Sequence, residues 1–196
     1  MKYLRSACVF CGGSPRVSKV YLDAARKLGN LLALNGIELV FGGANAGLMG
    51  AVSKGAMEKD GRVLGFLPED LLSIESGNTD ITQLTIVADM HERKRNMYIH
   101  ANAFITLPGG FGTLEEVFEV MTYKAIGFFD KPIIILNTEG YWNPLMKVLD
   151  QIYQEKFAGD FEKSMYRFVE TPEDVLNLLV KKDENQDLMT QKIVQK

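Results

Sequence analysis

The eleven residues from position 106 are Thr106-Leu107-Pro108-Gly109-Gly110-Phe111-Gly112-Thr113-Leu114-Glu115-Glu116. An apolar run, 103–107, leads into them and predicts a buried parallel strand. An amphipathic run from about 114 to 126 follows and predicts a helix. A glycine-rich turn between a strand and a helix forms an anion site, because the backbone approaches a phosphate closely and the first helical N–H groups point at it.

The residues after the glycines fit such a site. Thr113 is expected to cap the helix and to offer a hydroxyl, and Glu115 and Glu116 are expected in the first turn, where the helix dipole favours negative charge. The stretch is neither a Walker A motif nor G-x-G-x-x-G. The alternative interpretation is a tight structural turn followed by two capping glutamates.

Composition narrows the class of protein. The chain has 196 residues, of which 46% are hydrophobic and 24% are charged, so an ordinary globular protein is expected. The net charge of −3 gives no general attraction to nucleic acid or to an anionic membrane. No apolar run approaches the roughly 20 residues that cross a bilayer, and the N-terminus lacks a signal-peptide pattern. We expect a cytoplasmic protein without nucleic-acid or membrane partners.

Two cysteines, Cys8 and Cys11, form a C-x-x-C spacing. A thioredoxin-like site places this motif at the start of a helix, whereas Cys8 lies inside the first predicted strand. We therefore expect reduced, buried thiols rather than a redox pair. Two cysteines and two scattered histidines do not form a zinc site, so no metal or cofactor is predicted.

Strand and helix patterns alternate along the chain. Strands are predicted at 4–10, 37–41, 62–67, 84–88, 103–107, 132–136 and 167–169. Helices are predicted at 19–34 with Ser18 as cap, 47–59, from Asp89, 114–126, 144–156, and from 171. This alternation predicts a single α/β domain over 1–180, a doubly wound parallel sheet with helices on both faces, followed by a polar tail at 181–196.

Each glycine-rich loop follows a strand, as does the helix start at Asp89. Because the carboxyl ends of parallel strands share one edge of the sheet, these loops are expected to line one pocket. Arg93 and Glu116 follow two of those strands, so a cation and a carboxylate are expected to meet there. Arg93 would bind phosphate or carboxylate, and Glu116 would act on a nucleophile or a sugar hydroxyl. The alternative is a solvated charge run, which we favour for Arg95.

Five stretches resemble motifs of the Lonely Guy (LOG) family, in the same order and spacing. Pro108 to Glu116 matches that family's P-G-G-x-G-T-x-x-E, and Met90 to Lys94 matches its M-H-x-R-K. The other three, which resemble its V-F-C-G-S-S, G-G-G-x-x-G-L-M-G and N-x-x-G-Y-Y, are Val9 to Ser14, Gly42 to Gly50 and Asn137 to Trp142. Gly13 replaces a serine, and Ala44 replaces the third glycine of its motif, which leaves the backbone path of that loop open.

The resemblance implies a Rossmann-like homodimer. It also implies a phosphoribohydrolase that cleaves the N-glycosidic bond of a cytokinin-type or adenine nucleoside 5′-monophosphate into the free base and ribose 5-phosphate. The family was formerly mislabelled as lysine decarboxylase, and this sequence offers no pyridoxal site. The alternatives are a non-catalytic carrier of a nucleotide or of the molybdenum cofactor, and a protein that senses AMP.

The resemblance also assigns residues. The catalytic pair falls on Arg93 and Glu116. The substrate-binding positions are Ser14, Gly43, Glu75, Lys94, Gly109, Gly110, Phe111, Gly112, Thr113, Leu114, Glu115 and Thr122. His91 and His100 are expected to be structural.

The predicted dimer has support in the sequence as well. The helices after Asp89 and Leu107 carry more apolar residues than one face needs to cover a sheet, and a large exposed apolar patch marks an interface. The residues expected in that patch are Met97, Phe118, Met121, Tyr123 and Phe128.

Overall fold

The computed structural model describes residues 4–72 and 77–180. Its strands are Ser6–Phe10 (β1), Glu38–Phe41 (β2), Val63–Pro68 (β3), Gln83–Val87 (β4), Ala103–Thr106 (β5), Ile133–Leu136 (β6) and Tyr166–Val169 (β7). Its helices are Lys19–Leu34 (α1), Gly47–Met57 (α2), Met90–His100 (α3), Phe111–Ala125 (α4), Asn143–Gln154 (α5), Asp160–Ser164 (α6) and 172–180 (α7).

The strands form one sheet in the order β4-β3-β2-β1-β5-β6-β7, and each neighbouring pair is parallel. The chain builds outward from β1 to β4 and then returns to the other side of β1 with β5. The strand order therefore reverses between β1 and β5, which is where ligands bind in sheets of this kind. The predicted doubly wound α/β fold is confirmed.

A separate apolar core covers each face of the sheet, as the pattern of buried strands requires. Helices α1, α2 and α7 cover one face, where Leu28, Leu48 and Val175 are fully buried or nearly so. Helices α3 and α4 cover the other face, where Met97 and Val117 pack against the strands. The site helices α3 and α4 thus lie side by side on the same face.

Several local expectations were wrong. Ser18 occupies the cap position of α1, but its side chain makes no capping hydrogen bond. Helix α4 begins at Phe111, with Gly110 as its cap, so Thr113 is inside the helix and the glutamates lie beyond its first turn. The short helix α6 was not predicted, because five residues are too few to show a helical period.

Two of the residues expected in the exposed apolar patch are instead in the core, namely Met97 and Met121. Phe118 and Tyr123 are partly buried, and Phe128 is exposed. Both cysteines are buried and form no disulfide, as expected, and burial raises the pKa of the Cys11 thiol. Within the described residues, no helix combines the length and apolarity that crossing a bilayer requires. The predicted tail at 181–196 lies outside those residues.

Candidate active site

Three loops at the carboxyl edge of the sheet meet at Gly12. The Gly12 N–H donates to the Pro108 carbonyl at 3.0 Å, which ties the loop after β1 to the loop after β5. The Gly12 carbonyl accepts from the Leu48 N–H at 2.9 Å, which adds the start of α2. The predicted convergence of glycine-rich loops at one edge is therefore present.

The glycines after β5 differ in their surroundings. A Cβ on Gly109 would lie 2.1 Å from Thr113 Oγ1, so the Thr113 hydroxyl is packed against Gly109 rather than capping the helix. A Cβ on Gly110 or Gly112 would meet nothing within 4 Å. Because the first N–H groups of a helix have no partner within it, the start of α4 offers donors beside open space. This arrangement is suited to an anion.

The loop after β2 accommodates its departure from the family motif. The left-handed conformations in this loop fall on Gly43, with φ of 82°, and Gly47, with φ of 56°. Ala44 is not among the residues with positive φ, and its side chain is buried in the core. Alanine therefore fits at position 44 without strain. Gly43 is closed in by the Phe66 backbone, so its role is to bring this loop against β3.

Arg93 is buried, and its side chain runs across the loop after β2. A Cβ on Gly42 would lie 1.8 Å from Arg93 Nη2, so only glycine leaves room for the guanidinium. Arg93 Nη1 approaches the Met90 sulfur at 3.6 Å, and Nε has no hydrogen-bond partner among the described residues. A buried guanidinium with an unused donor is available to an anionic or oxygen-rich ligand.

Glu116 lies one turn along α4 and is buried as well. Burial raises its pKa to about 7, although the positive charge of Arg93 opposes the shift. The two side chains form no ion pair in the part of the chain that the structure describes. The cation and the carboxylate expected at this edge are both buried there, and desolvation of the carboxylate outweighs the effect of Arg93 on its pKa.

The carboxylate partners of the adjacent lysine are Glu115 and Glu119. Lys94 Nζ bonds to Glu115 and lies 2.8 Å from Glu119 Oε2, while Glu119 also accepts from Tyr98 and from Tyr123. Burial alone would lower the pKa of Lys94, but these hydrogen bonds outweigh it and raise the pKa. Lys94 is thus a buried cation held between α3 and α4 rather than part of a solvated charge run. Arg95, in contrast, is exposed.

A cavity of about 560 Å³ opens beside Lys94 on the outer flank of α3 and α4. Its lining includes Tyr98, Ile99, Tyr123, Phe128 and Lys131. The lining also includes Lys94 and Glu119 but none of the glycine-loop residues, Arg93 or Glu116. The cavity is therefore separate from the anion site and shares only the Lys94 ion pairs with the region around it.

The remaining predicted residues are scattered. Phe111 is 92% exposed at the start of α4, and Leu114 is half-buried behind it. Ser14 is exposed, and its hydroxyl accepts from the Arg16 N–H at 3.4 Å. Thr122 bonds back to the Phe118 carbonyl of its own helix, nine residues and so roughly 13 Å along α4 from Thr113. The structure does not bring Thr122 to the glycine loop.

Glu75 lies outside the described residues. Of the two histidines expected to be structural, His100 has packing contacts, whereas His91 lines the cavity beside Lys94. His100 contacts the Asn96 carbonyl and packs against Phe66, and both histidines are exposed. In the segments 4–72 and 77–180, no group of His, Cys, Asp or Glu is arranged to hold a metal ion.

One residue of the site was not predicted. Tyr141, in the loop after β6, donates its hydroxyl hydrogen to the Gly109 carbonyl at 2.7 Å. The Asn137 to Trp142 motif was recognised, but nothing in its sequence indicates which loop its tyrosine contacts.

Comparison with known proteins identifies the family. The family model described as "Possible lysine decarboxylase" matches residues 49–179. The cytokinin riboside 5′-monophosphate phosphoribohydrolase LOG4 of Arabidopsis thaliana is 45% identical over 78% of this chain and 71% of its own length. The probable cytokinin riboside 5′-monophosphate phosphoribohydrolase LOGL2 of Oryza sativa subsp. japonica is 39% identical over 89% of this chain and 72% of its own length.

The chain belongs to the Lonely Guy family. Solved structures resemble this Lonely Guy protein in fold. A molybdenum cofactor binding protein from Rippkaea orientalis has a TM-score of 0.69 at 24% identity, covering 92% of this chain and 98% of that one. The molybdenum cofactor carrier protein of Chlamydomonas reinhardtii has a TM-score of 0.68 at 20% identity, covering 91% and 99%. At these identities the likeness shows the fold alone.

Proposed function

We propose that this Lonely Guy protein is a phosphoribohydrolase. Its substrate is a cytokinin-type or adenine nucleoside 5′-monophosphate, and its products are the free base and ribose 5-phosphate. One observation carries the proposal: the open helix start at Gly110 and Gly112 shares α4 with the buried carboxylate of Glu116. The family relatives named for this activity support it.

The phosphate is placed at the start of α4. There the helix dipole and the free N–H groups favour a negative charge, and the open space beside Gly110 and Gly112 admits the phosphate oxygens. Glu116 is four positions after Gly112, which is roughly 6 Å along the helix. A ribose anchored by its 5′-phosphate can thus direct its anomeric carbon toward Glu116. This anchoring supplies the orientation that the reaction needs.

Glu116 and Arg93 are assigned the chemistry. Breaking the bond between the base nitrogen and C1′ leaves an oxocarbenium-like sugar, as in glycoside hydrolysis. The carboxylate of Glu116 stabilises that cation or takes a proton from the water whose oxygen attacks C1′. The departing base nitrogen takes up the proton that the water loses, so one water is added across the broken bond and Glu116 is regenerated. Arg93, whose Nε has no partner among the described residues, donates to substrate oxygens beside it.

We also propose that the protein is a homodimer in the cytoplasm. The outer flank of α3 and α4 exposes Ile99, Ile126 and Phe128, and the cavity beside Lys94 opens on the same flank. A second copy packed there would cover this apolar surface and close the cavity. Two buried, unpaired thiols fit a reducing compartment.

The test uses chromatography to detect the release of adenine from AMP and of the free base from a cytokinin riboside 5′-monophosphate. The Glu116→Gln variant, purified in parallel, controls for a contaminating nucleosidase. Base release by the wild type and not by the variant supports the proposal. Binding of AMP without base release would replace it with the carrier or AMP-sensor hypothesis.

A further inference from the structure

The loop after β6 adopts an unusual backbone path. Glu139 and Gly140 both have left-handed conformations, with φ of 54° and 69°. A non-glycine residue in this region costs on the order of 1 kcal/mol, and such strain persists where the surrounding structure requires a particular path. Here Asn137 holds the turn, because its side-chain oxygen accepts from the Trp142 N–H at 2.7 Å and its amide donates to Asn143 at 3.0 Å.

This path delivers one side chain to the anion site. The Tyr141 hydroxyl reaches the Gly109 carbonyl at 2.7 Å. The Tyr141 ring packs edge-on against Trp142 at 4.8 Å and against Tyr21 of α1 at 5.6 Å. These two ring contacts restrain the side chain, although it is 39% exposed, and so favour the hydrogen bond that its hydroxyl makes.

The hydrogen bond fixes a peptide plane. No peptide bond among the described residues is cis, so the Gly110 N–H points opposite to the Gly109 carbonyl across the same planar unit. The preceding carbonyl, that of Pro108, is held separately by the Gly12 N–H at 3.0 Å. Two successive carbonyls of the loop are therefore fixed from outside it, so the directions of the Gly109 and Gly110 N–H groups are set before a ligand arrives.

We propose that Tyr141 is a positioning residue for the phosphate-bearing end of the substrate. By holding the Gly109 carbonyl, it sets the direction of the Gly110 N–H, and it lowers the cost of ordering the loop when a phosphomonoester binds. The identity of that phosphomonoester rests on the proposed function. The positioning role itself concerns any ligand that places a phosphate at the start of α4.

The test compares Tyr141→Phe with a control variant, Tyr153→Phe. The Tyr153 hydroxyl also forms a 2.7 Å hydrogen bond, but its partner is the Tyr166 hydroxyl and the pair lies outside the site. Calorimetry measures the Kd for ribose 5-phosphate, and steady-state assays give kcat and KM for AMP and the inhibition constant of adenine. For Tyr141→Phe we expect Kd and KM to rise about 3- to 10-fold, the range that one hydrogen bond commands. Its kcat and its adenine inhibition constant should stay within about twofold of wild type, as should all values for Tyr153→Phe.

Wild-type affinity of Tyr141→Phe for ribose 5-phosphate would overturn the proposal. An equal loss of affinity for ribose 5-phosphate and adenine would also overturn it, because a general structural defect does not select the phosphate end. If the wild type releases no adenine from AMP, the proposed function fails, and the binding comparison still decides the role of Tyr141. A wild type that does not bind ribose 5-phosphate would overturn the positioning role, whereas the proposed function is decided by release of adenine from AMP.

Discussion

Replacing Gly112 with alanine separates substrate binding from stability. Gly112 is the second residue of α4, its φ is not positive, and an added Cβ meets nothing within 4 Å. Because alanine has less conformational entropy to lose, Gly112→Ala should stabilise the fold by about 0.5 kcal/mol. The same methyl group occupies the space through which a phosphate oxygen approaches the helix start. A hydrogen bond to a charged group contributes about 1.5–3 kcal/mol, so the KM for AMP should rise about 10- to 100-fold.

The assay measures adenine release over a range of AMP concentrations, together with thermal unfolding of each variant. The matched control is Gly36→Ala, at the opposite edge of the sheet. Gly36 also has open space around it, but its φ is +67°, so alanine there is strained. We expect Gly36→Ala to lose about 1 kcal/mol of stability and to keep the wild-type KM.

The two variants should thus change opposite properties. A wild-type KM for Gly112→Ala would refute the phosphate assignment, since the space beside the helix start would then be empty in the bound state too. Loss of stability in Gly112→Ala would instead contradict its helical, uncrowded position.

Five further predictions concern the catalytic carboxylate, the pH dependence of the rate and of the stability, substrate choice and assembly. Glu116→Gln should lower the turnover of AMP about 10²- to 10⁴-fold with little change in ribose 5-phosphate affinity, and near-wild-type turnover would exclude Glu116 as the catalytic group. Because burial raises the pKa of Glu116 to about 7, kcat/KM should rise with pH below 7 and level off above it; a flat profile from pH 5.5 to 8 would contradict an ionised Glu116. The same shift means that, between about pH 4.5 and 7, the folded state keeps a proton on Glu116 that the unfolded chain has lost. The stability of the wild type therefore falls as the pH rises through that window. Glu116→Gln should be more stable than the wild type at pH 8, by up to about 3 kcal/mol, and should lose this advantage toward pH 5. AMP should be cleaved at least 10²-fold faster than adenosine when adenine release is compared at equal concentrations, because the donors at the start of α4 lose their partner without a 5′-phosphate; equal rates would reduce the glycine loop to a structural turn. Light scattering at micromolar concentration should give the mass of a dimer, and Phe128→Lys should shift it toward the monomer; a wild-type monomer would contradict the assembly.

The topology could be predicted from the sequence because its signals are local and mutually consistent. Buried apolar runs alternate with amphipathic ones, and asparagine, aspartate and glycine mark where they end. The parallel arrangement then follows from alternation alone, and with it the shared edge where the loops after β1, β2 and β5 meet. The strand at 103–107 and the cap at Asp89, whose side chain accepts from the Glu92 N–H, were placed correctly for this reason.

The start of α4 could not be predicted in the same way. Glycine is unfavourable inside helices, so the sequence favours a helix that begins after Gly112. In the first turn that penalty is small, and the helix begins at Phe111. This earlier start affects the catalytic carboxylate, because Glu116 then lies beyond the first turn, in a buried position. There desolvation, rather than the helix dipole, controls its pKa.

Side-chain direction was the other missing element. Spacing places Arg93 and Glu116 at the same edge, but spacing does not show that the Arg93 side chain runs over Gly42 and leaves Glu116 without an ion pair among the described residues. The partner of Lys94 could have been anticipated. Glu115 and Glu119 are four residues apart on α4, so their like charges repel each other on one helix face. A cation on the neighbouring helix, here Lys94, relieves that repulsion.

The hydrogen bonds of Gly12 have a consequence for engineering the protein. Gly12 joins the loop after β5 through its N–H and the start of α2 through its carbonyl, and the loop after β6 is attached to the same place through Gly109. These segments come from distant parts of the chain, yet they form one mechanical unit. Transplanting a single loop from a relative to change substrate preference would therefore disrupt the hydrogen bonds between that loop and the others. Exchanging all four segments together keeps these hydrogen bonds between partners from the same protein; the segments are 11–14, 47–50, 108–113 and 137–142.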